Sequence, residues 1–472
     1  MRFAAIGTII VICLGTYLAA TRPVERAGPG QVELRFAFPA SASSLSSYTR
    51  IVRRFMELNP DIFVKLEPVV GDFRRAAQRD LVANMAADVF LSDDDDFAVF
   101  AKDGHYLDLD PLIRQENFDL DAYYRQAVES FRWNEKQYGL PSVWGCSLIL
   151  YNKDLFAEAG VTADPLNWTW SEFLDALEKL TKPRIRDGKS VPCYGYVRDN
   201  QAHAMCHIWQ AGGTILQRQF VCPDCGARTD VSDIAHAAEA ACGACGRNLA
   251  GAQETYVGRI NTPEAVRGVQ FAVDLMKYAP RQQANNNSEQ SMNRELFATG
   301  RLAMIRGGPF SAAQFKDTNV NFGIAYYPAG PGGRWTRFYC DGFAIWSKTK
   351  HPQEAWRLLK FVCGPQAMRV HAKDGSSIPS LKAVAESEYF NRPDTPWDEM
   401  KFVRSIDHAR FMRKTPQWDE VSSQMTRYLD LVMMDANASA RISPQEFGDA
   451  CQKEIDRILA RAAAQDAATA GK

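Results

Sequence analysis

The sequence predicts an α/β protein built as two lobes, and three observations predict it. At 472 residues the chain is well beyond the roughly 100–200 residues of one ordinary domain. Segments with strand alternation trade places with segments of helical periodicity along most of its length. Near its start lies a strand–helix–strand unit, the building block of a parallel sheet.

In that unit Val32, Leu34, Phe36 and Phe38 alternate with other residues, the period of a strand. Pro39 ends it, and a Ser-rich turn, 41–47, follows. Ile51, Phe55 and Leu58 share one helix face, and Asn59-Pro60 stops that helix. Ile62, Val64 and Leu66 alternate again. A short strand, 88–91, then runs into the acidic loop Ser92-Asp93-Asp94-Asp95-Asp96. Further on, Thr169-Trp170-Ser171-Glu172 is a capping box ahead of the stripe Phe173, Leu177 and Leu180. Thr262-Pro263 opens a helix with Val266, Val269, Val273 and Met276 facing inward. His351-Pro352 opens another, ending near Gly364-Pro365. Ser443-Pro444-Gln445-Glu446 caps the last, with Phe447, Cys451, Ile455 and Ile458 inward, and the Ala-rich tail after Leu459 is expected to fray.

The net charge is −1, and no basic stripe is present, which argues against a nucleic-acid partner. Met1-Arg2 precedes an uncharged run from Phe3 to Ala20, the pattern of an export signal. Cleavage after Leu18-Ala19-Ala20, retention of residues 1–20 as an anchor, and a lipoprotein at Cys13 remain open; Ile12 stands where the last would need a small residue. Each places the body outside the cytoplasm, periplasmic or otherwise extracytoplasmic. Residues 21–30 read as a linker.

Four of the eleven cysteines form two knuckles, Cys222-Pro223-Asp224-Cys225-Gly226 and Cys242-Gly243-Ala244-Cys245-Gly246. Two C-x-x-C-G turns place four thiolates for a closed tetrahedral site, so Cys222, Cys225, Cys242 and Cys245 are the expected ligands of a structural Zn²⁺ in a zinc-ribbon insertion, 217–252. Disulfides and thiol redox chemistry are the competing readings. His236 is read as a surface residue. Cys146, Cys193, Cys206, Cys340, Cys363 and Cys451 are scattered, as buried thiols would be.

Several phrases together resemble the extracellular solute-binding proteins of ATP-driven sugar importers, the group with the maltose- and glycerol-phosphate-binding proteins. They are residues 55–69 (FMELNPDIFVKLEPV), 138–161 (YGLPSVWGCSLILYNKDLFAEAGV), 168–181, 210–216 (QAGGTIL), 296–310 (LFATGRLAMIRGGPF), 341–345 and 375–380. Their order matches the family from about residue 32 to 459. Asp341-Gly342 replaces the paired glycines of many relatives, and the insertion after Leu216 is a second departure. The resemblance implies a type II periplasmic-binding fold. Its first lobe would be 31–138 plus 344–380 and its second 143–338 plus 385–460, with crossings near 138–142, 339–343 and 378–384. A monomer that delivers a sugar to an ABC transporter permease by hinge closure is the implied function.

A sugar site needs aromatic faces for the ring and planar polar groups for hydroxyls. The resemblance and the strand ends point to Phe310, Trp144 and Trp418 for stacking, and to Ser41, Ser43, Ser44, Asp93, Asp94 and Asp341 for polar contacts. Arg306 could take an anionic substituent, with a surface salt bridge as the plainer account. Tyr123-Tyr124 and Tyr326-Tyr327 keep a ferric-ion reading open. No nucleophile elbow, H-E-x-x-H or P-loop is present, so no catalytic residue is expected, although carboxylates alone do not exclude a carbohydrate-active enzyme. A binding lobe feeding a membrane sensor fits the same sequence.

Overall fold

The computed structural model describes residues 26–94, 97–186, 188–231, 236–280, 286–375, 377–393, 395–411, 415–434 and 438–470. The expected export segment and Asp95 and Asp96 lie outside these. In chain order the main strands are β1 (Val32–Pro39), β2 (Ile62–Val69), β3 (Val89–Asp93), β4 (Gly139–Cys146), β5 (Leu148–Asn152), β6 (Leu216–Val221) and β7 (Arg228–Asp230). They continue with β8 (Gln253–Gly258), β9 (Met304–Gly307), β10 (Phe322–Ala325), β11 (Thr336–Ile345), β12 (Ile378–Pro379) and β13 (Ala409–Arg410).

The first lobe is organised by a sheet of order β12-β4-β11-β3-β1-β2, with β13 added on β11. β1 pairs in parallel with β2 and β3, as a strand–helix–strand unit requires, while β11 is antiparallel to β3 and β4. The alternation in β1 is a burial alternation: Leu34, Phe36 and Phe38 are fully buried. Phe36 sits 5.1 Å from the Phe343 ring and Phe38 4.5 Å from Tyr48. Each such side chain contributes about 1.5–3 kcal/mol by leaving water. The helix Ala42–Leu58 covers this face with Tyr48, Ile51, Val52 and Phe55, and Trp356 of helix Pro352–Val362 joins the same core. That first helix begins inside the Ser-rich stretch read as a turn. Ser41 and Ser44 cap each other reciprocally, which converts the turn signal into a helix start. Leu58, the last helical residue, is 48% exposed and so leaves the expected stripe.

The chain leaves β4 for β5 at Ser147, beyond the stretch 138–142 where the resemblance implied a crossing. The second lobe has a small antiparallel sheet, β9-β5-β10, surrounded by helices. Helix Trp170–Leu180 starts on the predicted capping box and buries Phe173, Leu177 and Leu180. In helix Pro263–Leu275 the buried stripe is Ala265, Gly268, Val269, Ala272 and Leu275. Val266, Val273 and Met276 are only partly buried: helix Gln201–Gln210 packs so close that a Cβ on Gly268 would overlap the backbone at Ile208. The last helix, Pro444–Ala470, buries Phe447, Cys451, Ile455 and Ile458 as predicted, but it runs on through the Ala-rich tail instead of fraying. Alanine's high helix propensity accounts for this.

The insertion leaves the second lobe through β6 and returns through β8. These strands pair antiparallel from Leu216↔Gly258 to Val221↔Gln253, with β7 on the far side of β6. Phe220, Cys222, Ala237, Cys242 and Leu249 form its own small core. The six scattered cysteines are buried free thiols, and the described residues hold no disulfide.

Candidate functional site

A cavity of about 510 Å³ opens beside the passage between the sheets, within the ~300–1,000 Å³ range of small-molecule sites. Its wall is built from six stretches of sequence, among them Ser147 between the two sheets and Asn293 and Arg294 of helix Asn286–Ala298. The turn 197–200 and the start of helix Gln201–Gln210 supply Arg198, Asp199, Asn200, Gln201 and His203. β9 and the helix after it supply Arg306 and Phe310; β11 supplies Tyr339; helix Trp418–Val432 supplies Thr426 and Leu429.

Phe310 is 59% exposed, an unusual state for a large apolar ring. Gly307-Gly308 brings it there, since Pro309 opens the short helix Pro309–Gln314 directly from the strand end. Tyr339 lies against Gly145, where an added Cβ would overlap its ring. A Cβ on Gly308 would stand 3.1 Å from its hydroxyl. Two glycines thus let the phenol cross from the hinge strand to the cavity.

The polar wall rests on a buried ion pair. Arg306 Nη1 donates to Asp199 Oδ1 at 2.7 Å and Nη2 donates to the Arg198 carbonyl at 2.6 Å. His207 Nε2 meets Asp199 Oδ2 at 2.8 Å. Burial raises the Asp199 pKa, but His207 and Arg306 outweigh burial and hold it below the usual carboxylate value. The Arg306 side chain is 13% exposed and its partner wholly buried, so the surface salt bridge expected for Arg306 is a buried one. Burial, reinforced by Arg306, keeps His203 well below its ordinary pKa and therefore neutral at neutral pH. It lies 3.4 Å from Ser147 Oγ and 2.5 Å from Asn200 Oδ1. An aromatic face beside guanidinium, imidazole and amide groups can stack on a ring and bond hydroxyls.

Of the aromatic, serine and carboxylate residues expected to bind ligand, Phe310 is the one among the described residues that lines this cavity, together with Arg306, which was offered for an anionic substituent. Trp144 and Trp418 are corrections. Trp144 is 1% exposed, stacked on Phe338 at 5.3 Å and T-shaped to Tyr124 at 5.5 Å, so its ring is buried against protein. Trp418 is 5% exposed in the second-lobe core. Ser41 and Ser44 cap the first helix, with Ser43 Oγ 3.1 Å from Ser41 Oγ. Asp93 and Asp341 are register partners, and Asp94 exchanges hydrogen bonds with the Cys340 backbone. These carboxylates gather at the ends of β3 and in β11, on the first-lobe side. Asn200, Gln201 and His203 were missed, their one sequence signal being the Asn200 cap of helix Gln201–Gln210; Tyr339 was missed as a cavity residue although it begins the expected crossing 339–343. Of the tyrosines that kept a ferric site open, Tyr123, Tyr124 and Tyr327 are buried and Tyr326 is partly buried, and burial pushes the pKa of each upward.

The four knuckle cysteines form a second site. Their sulfurs all lie within 4.8 Å of one another, with Cys222–Cys245 at 3.7 Å and Cys225–Cys242 at 3.6 Å. Gly226 and Gly246 both adopt φ +72°, which L side chains disfavour, so each knuckle closes on the glycine the motif supplies. Amides of Cys245 and Ala244 donate to the Cys242 sulfur and bring its pKa down to about 6. The cluster could hold a metal ion. His236 is not free on the surface: it lies between Glu129 at 3.0 Å and Glu135 at 3.1 Å, with its side chain 17% exposed.

Two α/β lobes joined by crossing strands, with a polar, aromatic-lined cavity at the junction, define a hinged binding protein. The profile of the family described as bacterial extracellular solute-binding protein matches residues 40–369, and the chain belongs to that family. A Brucella abortus binding protein is 23% identical over 88% of this chain and 93% of its own length. The maltodextrin-binding protein of Bacillus subtilis is 26% identical over 71% of each chain. Among solved structures, an ABC substrate-binding protein of Listeria monocytogenes in complex with cycloalternan superposes with a TM-score of 0.70 at 18% identity, covering 91% of this chain and 99% of that one. No helix of the described residues is long and apolar enough to cross a membrane.

Proposed function

We propose that this protein is the extracytoplasmic binding component of an ATP-driven importer and captures a sugar or related polyol between its lobes. The observation that carries the reading is Phe310, an exposed aromatic ring over a cavity whose polar wall includes Arg306, His203, Asn200 and Gln201. Stacking on Phe310 and Tyr339 would fix the ring, and the polar wall would bond its hydroxyls. Ser41, Ser43, Ser44, Asp93, Asp94 and Asp341 would then meet the ligand from the first lobe as the cleft closes, so that closure is stabilised by contacts the open form lacks. In this reading the protein binds and releases its ligand unchanged, and a membrane permease is the partner that opens it. The maltodextrin and cycloalternan named with the relatives above favour an oligosaccharide. Titration calorimetry with maltotriose, maltose and glycerol 3-phosphate tests this; binding of none of them, together with no thermal shift across a wider sugar panel, would reject it.

We further propose that Cys222, Cys225, Cys242 and Cys245 hold one structural Zn²⁺. Tetrahedral Zn–S bonds of about 2.3 Å require sulfurs about 3.8 Å apart, which the spacings of 3.6 and 3.7 Å support. All four positions are protein thiols, so the ion would fix the fold of the insertion and bind no substrate. Elemental analysis of the purified protein should find one zinc per chain.

A further inference from the structure

We propose that the four-cysteine insertion is a brace across the back of the hinge that opposes closure of the cleft. The inference rests on the hinged reading above, but not on the identity of the ligand.

The insertion is rooted in the second lobe. β6 and β8 carry it, the Ile260 amide donates to Gln452 Oε1 of the last helix at 3.1 Å, and Gly258 packs on Gln452 and Ile455. Its tip nonetheless docks on the first lobe. His236 bridges Glu129 and Glu135, and Glu239 pairs with Arg125 at 2.8 Å. Arg218 of β6 is fully buried between Glu254 at 2.7 Å and Glu135 at 3.6 Å, and Arg132 lies 3.3 Å from Glu129. Residues 125–137 move with the first lobe, because the Gln137 carbonyl accepts from Leu109, Lys136 pairs with Asp108, and the Phe131 ring packs 5.5 Å from Phe97.

The brace stands on the face of the hinge opposite the cavity. Successive residues of β11 point to opposite faces. Tyr339 points into the cavity. Phe338 points the other way, onto Trp144 and Phe411, and Trp144 leads to Tyr124 and so to Arg125. On this back face a second space of about 670 Å³ separates the lobes, lined by Gln126 from the first, Gln217 from the insertion, and Trp335 and Phe411 from the hinge. None of Ser41, Ser43, Ser44, Asp93, Asp94 and Asp341 reaches the cavity, so the braced form holds the first-lobe wall away from it. Rotation that brings that wall in must move residues 125–137 relative to β6 and disturb the pairs that cross between them, His236 with Glu129 and Arg218 with Glu135, in which the Glu129 and Arg218 side chains are at most 2% exposed. Buried charges that lose their partners are costly, so the brace adds to what the ligand must overcome. Thiolate ligation would fix the two knuckles between which His236 and Glu239 stand in the chain.

Dyes on non-canonical residues replacing Arg53 and Arg267, exposed on helices of opposite lobes, would report the interlobe distance by single-molecule energy transfer without added sugar. Arg125→Ala removes a clamp contact from outside the insertion, and His236→Ala with Glu239→Ala removes it from within. Both are expected to shift the sugar-free distance distribution, the double variant more, with unchanged circular dichroism and one zinc per chain. In a separate arm both are expected to bind maltotriose more tightly than the unaltered protein. An unshifted sugar-free distribution in both variants overturns the brace, as does weaker maltotriose binding by either. If the unaltered protein binds no sugar, the proposed ligand class fails while the distance measurement still decides the brace.

Discussion

Phe310 and Asp199 separate binding from stability at the scale of single side chains. Phe310 is more than half exposed, so Phe310→Ala should change the urea-derived stability by less than about 0.5 kcal/mol. The same change should weaken sugar binding by about tenfold, the value of roughly 1.4 kcal/mol of stacking. Calorimetry beside a denaturation curve checks both. Asp199→Ala should do the reverse first: it strands Arg306 in a buried site and should cost about 3–5 kcal/mol of stability, read by urea unfolding, with affinity falling as a consequence. Neither residue announces its state in the sequence. Trp144 and Trp418 look as suited to a sugar as Phe310, and only the packing around each ring tells them apart.

At the scale of elements, the insertion is the piece with its own chemistry. The paired carboxylates of Glu129 and Glu135 raise the His236 pKa to about 9, against desolvation and the nearby Arg132. Glu239 also interacts with it, and Arg218 lies 3.6 Å from its partner Glu135. A group whose pKa is raised on folding contributes stability that is fully present below its unfolded value, about 6.5, and is lost as pH rises through the folded value. The melting-temperature difference between the protein and His236→Gln should therefore shrink between pH 6.5 and 9. Cys245→Ser should lower the zinc content and increase amide exchange in 222–249 while leaving that of β1 to β3 unchanged, since the insertion has a separate small core. The knuckles were legible because C-x-x-C-G is a local motif whose geometry lies within five residues. The docking of His236 was not, because its partners stand about a hundred residues away in sequence.

For the whole molecule, ligand binding only to the folded form stabilises by mass action. At one hundred times the dissociation constant, maltotriose should add about 2.7 kcal/mol, visible as a rise in melting temperature that the same concentration cuts to about half, ~1.4 kcal/mol, in Phe310→Ala. Closure should also lower the radius of gyration seen by small-angle scattering. Cross-lobe ion pairs such as Arg74–Asp419 and Lys102–Asp466 join parts of the chain more than three hundred residues apart, and they show how far the fold's decisive contacts lie beyond any local pattern.

The sequence by itself determined the α/β class, the strand–helix–strand start, the capped helices, the family and the four-thiol cluster. Each is written in periodicity or short motifs that depend on neighbours within a turn or two. The tertiary structure alone decided which aromatic ring stays exposed, that Arg306 is buried with Asp199, where the chain passes between sheets, and that the insertion reaches across to the first lobe. Those outcomes depend on which distant surfaces exclude water together, and residues separated by long stretches of chain acquire that relation only when the whole chain has packed.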